Sequence, residues 1–143
     1  MTINEIQDEL IEETAALTDW MDRYAYIIEL GEALDKMPDT EKTPDNLIEG
    51  CQSRVWITAD LDKEGHVVYR ADSDALIVKG IVAMLLRVLN YHSPKEILDA
   101  DLYFIEKLGL KEHLSPTRSN GLVAMVKQMR MYAVAFSVRA QKD

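Results

Sequence analysis

Residues 51–71 read CQSRVWITADLDKEGHVVYRA, and this stretch indicates the fold class. In its first half, apolar side chains alternate with aromatic or polar ones, which is typical of a half-buried β-strand. The turn-forming sequence DKEG follows, and the run VVY then repeats a β-type composition. We therefore predict a β-hairpin with strands over residues 54–60 and 66–71.

Helical patterns flank this hairpin on both sides. Apolar residues at helical spacing predict two amphipathic helices before it, the first with Ile3, Ile6, Leu10 and Leu17 on one face and the second with Trp20, Tyr24, Ile27 and Ile28. Thr18 or Asp19 is expected to cap the second helix. Four helices are predicted after it: a core helix from N-cap candidates at 72–74 to Asn90, one opened by a capping box at 93–96, one over 101–108 that stops at Gly109, and one over 121–139.

The chain, residues 1–143, is expected to form one α+β domain, with a small antiparallel sheet flanked by helices. Its 143 residues are 48% hydrophobic, enough for a real core. A two-stranded hairpin alone is marginal in water, so helices must cover one of its faces, and no third strand can be placed from the sequence. Segment 35–49 contains two prolines and is predicted to be a long ordered loop of the kind that often carries function.

Charge is distributed unevenly along the chain. Residues 1–50 hold 14 acidic and 3 basic residues, whereas residues 51–143 hold 11 and 13, for a formal net charge of −9. An acidic front half disfavours nucleic acid as a partner, because binding phosphates requires a cationic surface. The longest apolar stretch, 75–89, is too short to span a bilayer, and the N-terminus lacks the basic residues of an export signal. We therefore expect no membrane association and a cytoplasmic location.

Cys51 is the only cysteine, and it lies where the polar loop meets the hairpin. One thiol excludes an intramolecular disulfide, a CxxC redox pair and a zinc–thiolate cluster within one chain. The sequence also lacks a GxGxxG or P-loop motif, a closely spaced group of metal ligands and a Cys–His–Asn signature, so nucleotide binding, metal binding and papain-like hydrolysis have little support. The thiol is either an accessible nucleophile on a turn or a small buried hydrophobe.

The residues around this thiol resemble those of a known family. The segment NLIEGCQSRVW at 46–56 is similar to the cysteine signature of SufE-type sulfur acceptors, which work beside cysteine desulfurases in iron–sulfur cluster assembly. The segments DSDALIVKG at 72–80 and HLSPTRSNGL at 113–122, and YIIELG at 26–31, agree with it in the family's order. The resemblance extends from about Trp20 to the last helix and implies the SufE/IscU-like α/β sandwich.

The resemblance implies a persulfide relay in which Cys51 is the catalytic residue. Cys51 would accept sulfur from a SufS-like cysteine desulfurase, stimulate that enzyme and deliver the sulfur to a SufB-like iron–sulfur scaffold. Sulfur exchange requires one accessible thiolate and no triad. Pyridoxal phosphate would belong to the desulfurase, so we expect no cofactor on this chain. Whether the protein is a monomer or a homodimer, and whether it is itself an enzyme, stays open.

Three neighbours of Cys51 are candidate residues of the cysteine loop. Gly50 would permit a close backbone approach or unusual dihedral angles. Gln52 and Ser53 could donate hydrogen bonds to the sulfur or could equally be ordinary turn residues.

Two residues of the other family segments are candidates for loop control or partner contact. For Asp74 the structural alternative is helix capping, and for Arg118 it is an ion pair. Lys79 lies within the apolar core helix, where its stem can follow the core while its ammonium reaches a carboxylate or solvent.

Two further functions are weighed against the relay. A non-catalytic regulator would bind a desulfurase and raise its turnover without carrying sulfur. A cluster scaffold needs several thiolates, and one cysteine per chain argues against it unless subunits share a cluster.

Overall fold

The computed structural model describes the backbone of residues 1–51 and 53–142 and the side chains of residues 1–51 and 53–139. Its elements are, in chain order, α1 (Ile3–Ala15), α2 (Trp20–Glu32), 3-10 turns at Asp39–Glu41 and Pro44–Asn46, β1 (Val55–Leu61), β2 (Val67–Ser73), α3 (Leu76–Leu89), α4 (Pro94–Asp99), α5 (Phe104–Lys107), α6 (Leu110–His113) and α7 (Pro116–Lys142). The fold is α+β, as the sequence predicts.

The predicted hairpin is present, and its second strand is longer than expected. Strands β1 and β2 pair antiparallel, from Val55 opposite Ser73 to Leu61 opposite Val67. Isolated bridges extend the sheet on both edges, Leu47 with Trp56 and Val67 with His92. The described part of the chain contains no third strand.

Helix α3 forms the centre of the core. Ten of its fourteen residues are buried, and it packs against α2 and β2. Gly80 of α3 lies directly against α2, since a Cβ built on it would fall 2.0 Å from the carbonyl oxygen of Ile27. Gly31 faces it from α2, with a built Cβ 2.7 Å from the Gly80 nitrogen. This pair of glycines allows the two helix backbones to touch.

Local capping signals predict two helix starts correctly. The Asp19 side chain caps α2 by accepting a hydrogen bond from the Met21 amide, 2.9 Å away. The capping box of α4 is complete, because Ser93 and Glu96 each accept a hydrogen bond from the other's backbone amide.

Three other boundaries differ from prediction. Helix α3 has Ala75 at its N-cap, with no side-chain cap, because Asp72 and Asp74 bond other partners and Ser73 Oγ accepts from the Ala75 amide itself. The helix predicted over 101–108 is only the short α5, although Gly109 follows it in a left-handed conformation (φ 71°) as a stop. Helix α7 starts at Pro116 instead of 121, since proline suits the first turn of a helix.

No helix of the described residues combines the length and the hydropathy that crossing a membrane requires.

Candidate functional site

Cys51 lies on a short loop that is held at both ends. Before it, the Ile48 amide donates a hydrogen bond to the carbonyl of Val55 at 2.8 Å. Gly50 has φ +91°, a left-handed conformation that other residues adopt only with strain, and a Cβ there would lie 3.5 Å from Cβ of Ala124 on α7. The loop therefore turns sharply and brings Cys51 against α7.

The thiol of Cys51 rests on the backbone of α7. Its Sγ lies 3.7 Å from the carbonyl oxygen of Gly121, the geometry of a weak S–H···O hydrogen bond in which the thiol donates. The residue is half-buried. The sequence allows either an accessible nucleophile or a small buried hydrophobe, and each description is partly correct. Cys51 packs against the core and also lines a surface cavity.

A cavity of about 350 Å³ opens beside Cys51. The cysteine loop, helix α3 and the first turns of α7 supply its lining: Cys51, Ser53, Val78, Ser115, Thr117, Arg118, Gly121 and Met125. Among these described lining residues, Arg118 carries the charged side chain. The cavity therefore offers the thiol hydroxyl groups and one cation.

Burial raises the pKa of the Cys51 thiol, because the thiolate loses solvation. A thiol with a raised pKa is mostly protonated near neutral pH and reacts slowly as a nucleophile. The resting arrangement therefore protects the thiol instead of activating it.

Asp74 fixes the base of the hairpin beside the cysteine loop. Its Oδ1 accepts a hydrogen bond from the Arg54 amide at 3.0 Å, and its own amide donates to the Arg54 carbonyl at 3.2 Å. Ser73 adds a bond from its Oγ to the same carbonyl at 2.8 Å. Asp74 thus holds the backbone three residues after Cys51, and the helix-capping alternative for it is wrong.

Arg118 lies on the exposed first turn of α7, where its amide donates to Oγ of Ser115 at 3.3 Å. No ion pair joins it to a carboxylate of the described residues. Its place in the cavity lining brings it together with Cys51, which the sequence order alone does not reveal.

Ser53 and Gln52 are the other candidates of the cysteine loop, and Asp74 is the candidate for loop control. Ser53 is half-buried and lines the cavity. Gln52 lies outside the described residues. Asp74 is absent from the cavity lining, although it holds the strand that leads away from the loop.

A buried carboxylate ties the loop before Cys51 to the core. Asp72 receives two ammonium groups, Nζ of Lys42 from the loop and Nζ of Lys79 from α3, each at 3.3 Å. Of the two alternatives for the Lys79 ammonium, a carboxylate or solvent, the structure shows the carboxylate. Burial raises the pKa of Asp72, but the Ser73 amide and the two lysines outweigh it, so the pKa is lowered overall. Lys42 also lies over the ring of Trp56, 5.4 Å from its centroid.

One group of possible metal ligands lies on the turn of the hairpin. Asp62, Glu64 and His66 place ligand atoms within 4.8 Å of one another, a closeness that the sequence analysis did not anticipate. Oδ1 of Asp62 already accepts bonds from the amides of Glu64 and His66, which explains the cluster as the side chains of a tight turn.

Sequence reasoning missed most of the cavity lining. Ser115, Thr117 and Gly121 belong to the family-like segment at 113–122, and the sequence alone gives none of them a role. A helical glycine usually has a packing reason, but the sequence predicts that the last helix begins at 121, so Gly121 looks like a boundary residue there.

Two comparisons with known proteins agree with this fold. A family model described as the SufE Fe-S metabolism associated domain matches residues 8–133. The chain is also similar to the solution structure of a hypothetical protein from Thermus thermophilus, with 21% sequence identity and a TM-score of 0.76 over 93% of this chain and 96% of that one. At that identity the second likeness concerns the fold alone.

Proposed function

The chain belongs to the SufE family of Fe-S metabolism associated domains, and from this membership we propose that it carries sulfur, with Cys51 as the persulfide acceptor. The donor is a SufS-like cysteine desulfurase, whose turnover rises because its persulfide is removed. The recipient is a SufB-like scaffold for iron–sulfur clusters. Pyridoxal phosphate belongs to the desulfurase, and this chain brings no cofactor of its own.

The proposed transfer is a thiol–persulfide exchange. The Cys51 thiolate attacks the terminal sulfur of the donor's cysteine persulfide, and a bond forms between Cys51 Sγ and that sulfur. The S–S bond of the donor breaks, its electron pair leaves on the donor's cysteine sulfur, and that thiolate takes up the proton that Cys51 released. One thiol and one persulfide exchange places, so no external oxidant or reductant is required.

The observation that carries this proposal is the position of Cys51 at a cavity of about 350 Å³. The cavity has room for one additional sulfur atom, and the chain contains no second cysteine that could convert the persulfide into an intramolecular disulfide. A single thiol is enough for a relay, whereas a cluster scaffold would need several. A reducing cytoplasm is the proposed compartment, because it keeps an unpaired thiol available.

The experiment that tests the relay measures desulfurase turnover, as alanine released from cysteine, with wild-type protein, Cys51→Ser or Lys95→Gln added. The relay predicts that wild type stimulates turnover and that Cys51→Ser does not, although its fold and partner binding are retained. Lys95→Gln changes an exposed side chain of α4 outside the cavity, and it is the control that should keep the stimulation.

Stimulation by Cys51→Ser equal to that of wild type would replace the relay with the non-catalytic regulator. Binding of the variant to the desulfurase is measured in parallel by isothermal titration calorimetry. Loss of stimulation then counts for the relay only when binding is intact.

A further inference from the structure

Gly121 occupies a helical position that favours another residue. It lies in the second turn of α7, is buried and has no positive φ, so its backbone conformation is open to any residue. Glycine inside a helix costs about 0.5–1 kcal/mol relative to alanine. A close contact from another part of the chain would explain a glycine at this position.

The contact is made by Cys51. A Cβ built on Gly121 would lie 3.3 Å from Cys51 Sγ and 3.9 Å from Cys51 Cβ. Apart from the two neighbouring residues and the nearby backbone of α7, no other heavy atom of the described residues comes within 4 Å. Ordinary van der Waals separations are about 3.5–4.0 Å. A methyl group at position 121 would therefore press on the Cys51 thiol.

We propose that Gly121 is a positioning residue of the sulfur-carrying site, whose missing side chain forms the seat that holds the unloaded Cys51 thiol retracted against α7. This inference rests on the proposed function. In the seat, the S–H group donates to the Gly121 carbonyl, an interaction that only the protonated thiol can make. The thiolate has no proton to donate and would face the partial negative charge of that carbonyl. Cys51 must therefore leave the seat to attack sulfur.

The described lining of the cavity also bears on the charge of the thiol. Arg118 of α7 is its charged group and is exposed to solvent, and Ser53, Ser115 and Thr117 supply hydroxyl groups. These groups can favour a thiolate that has left the Gly121 carbonyl, whereas the protonated thiol keeps its bond to that carbonyl.

The test compares Gly121→Ala with wild type and with Asn120→Ala, measured on the protein alone. Asn120 is the exposed preceding residue of α7, so its replacement improves helix propensity without touching the thiol. The rate of Cys51 alkylation by iodoacetamide is followed from pH 6 to 10, together with thermal unfolding. We expect Gly121→Ala to react roughly threefold faster or more at pH 7.5, with a pH profile moved to lower pH, because the thiol is displaced toward water.

The two alanine variants distinguish the seat from a general effect on the helix. Asn120→Ala should react at the wild-type rate, and neither variant should unfold at a lower temperature than wild type, since alanine is the better helix former. An alkylation rate of Gly121→Ala equal to or below that of wild type, in a folded protein, overturns the proposal. Because no desulfurase is present, this outcome is independent of whether Cys51 carries sulfur.

Discussion

At the residue scale, the environment of Cys51 restrains its reactivity. The thiol is half-buried, donates to a backbone carbonyl and has a raised pKa. A free protein arranged in this way avoids loss of its thiol to unrelated electrophiles. We hypothesise that docking of the desulfurase moves the loop and exposes the thiol. Unchanged amide hydrogen exchange of residues 45–53 on partner binding would count against that hypothesis.

The first prediction concerns the pH dependence of the isolated protein. Because the pKa of Cys51 is raised by burial, the thiolate fraction and the alkylation rate should keep rising with pH beyond the range in which an exposed cysteine levels off. The measurement is the alkylation rate against pH for the native protein and for the same protein unfolded in urea. Superimposed profiles would show that the folded site does not perturb the thiol.

A second residue-scale prediction concerns Asp74. Replacing it with alanine removes the acceptor for the Arg54 amide and should lower stability by about 1 kcal/mol, with faster hydrogen exchange at Arg54. Asp74→Asn retains an amide oxygen in the same place and should keep most of the protection. Equal exchange rates at Arg54 in wild type and Asp74→Ala would mean that this bond does not hold the hairpin base.

At the element scale, local signals predicted the parts that depend on local physics. The hairpin follows from alternation, and the caps at Asp19 and Ser93 follow from side chains that bond their own helix. The start of helix α3 was harder to predict, because Asp72 and Asp74 look like N-caps but bond two lysines and the backbone amide before β1. Lys42 and Arg54 are 30 and 20 residues away from these carboxylates in the sequence, and no local pattern reveals those two contacts.

The crossing of α2 and α3 gives a prediction at this scale. Gly80→Ala should destabilise the protein by roughly 3 kcal/mol or more, because its Cβ would overlap the backbone carbonyl of Ile27, which cannot move without shifting α2. Gly121→Ala is the matched control, since it gains the same helix propensity but meets only a movable thiol. Urea unfolding measures both. Similar midpoints for the two variants would contradict the close approach of these helices.

At the scale of the whole molecule, the site is assembled from segments that are far apart in the chain. Loop residues 51 and 53 line the cavity together with Ser115 and with residues 117–125 of α7, more than sixty positions further along the chain. The resemblance to a family pointed to Cys51 and Arg118, whereas the cavity and the seat at Gly121 required coordinates. Spacing along the chain contains no information about which residues of α7 face the thiol.

Packing of the acidic N-terminal helix onto the core gives a prediction about acid stability. Arg87 of α3 donates hydrogen bonds to Glu9 and Glu13 of α1. The bond from Arg87 to Glu13, together with a bond from the Tyr26 hydroxyl, lowers the pKa of Glu13 to about 2. A lowered pKa contributes stability that is present above the ordinary value of 4.5 and is lost as pH falls toward 2. Arg87→Gln should therefore lower stability at pH 6 by about 1 kcal/mol.

The difference between wild type and Arg87→Gln should shrink as the pH falls from about 4.5 toward 2, measured by urea unfolding at a series of pH values. Lys95→Gln, which removes an exposed cation of α4, is the control and should be nearly neutral at every pH. A gap between wild type and Arg87→Gln that stays constant across this range would show that the Glu13 carboxylate does not depend on Arg87.

Intact-protein mass spectrometry measures whether Cys51 itself carries sulfur. Wild type and Cys51→Ser are incubated with a cysteine desulfurase and free cysteine and separated from the enzyme, and their masses are measured before and after treatment with dithiothreitol. We expect the mass of one added sulfur atom on wild type, removed by dithiothreitol and absent from Cys51→Ser. Wild type that gains no sulfur while desulfurase turnover rises would show that Cys51 is not a sulfur carrier.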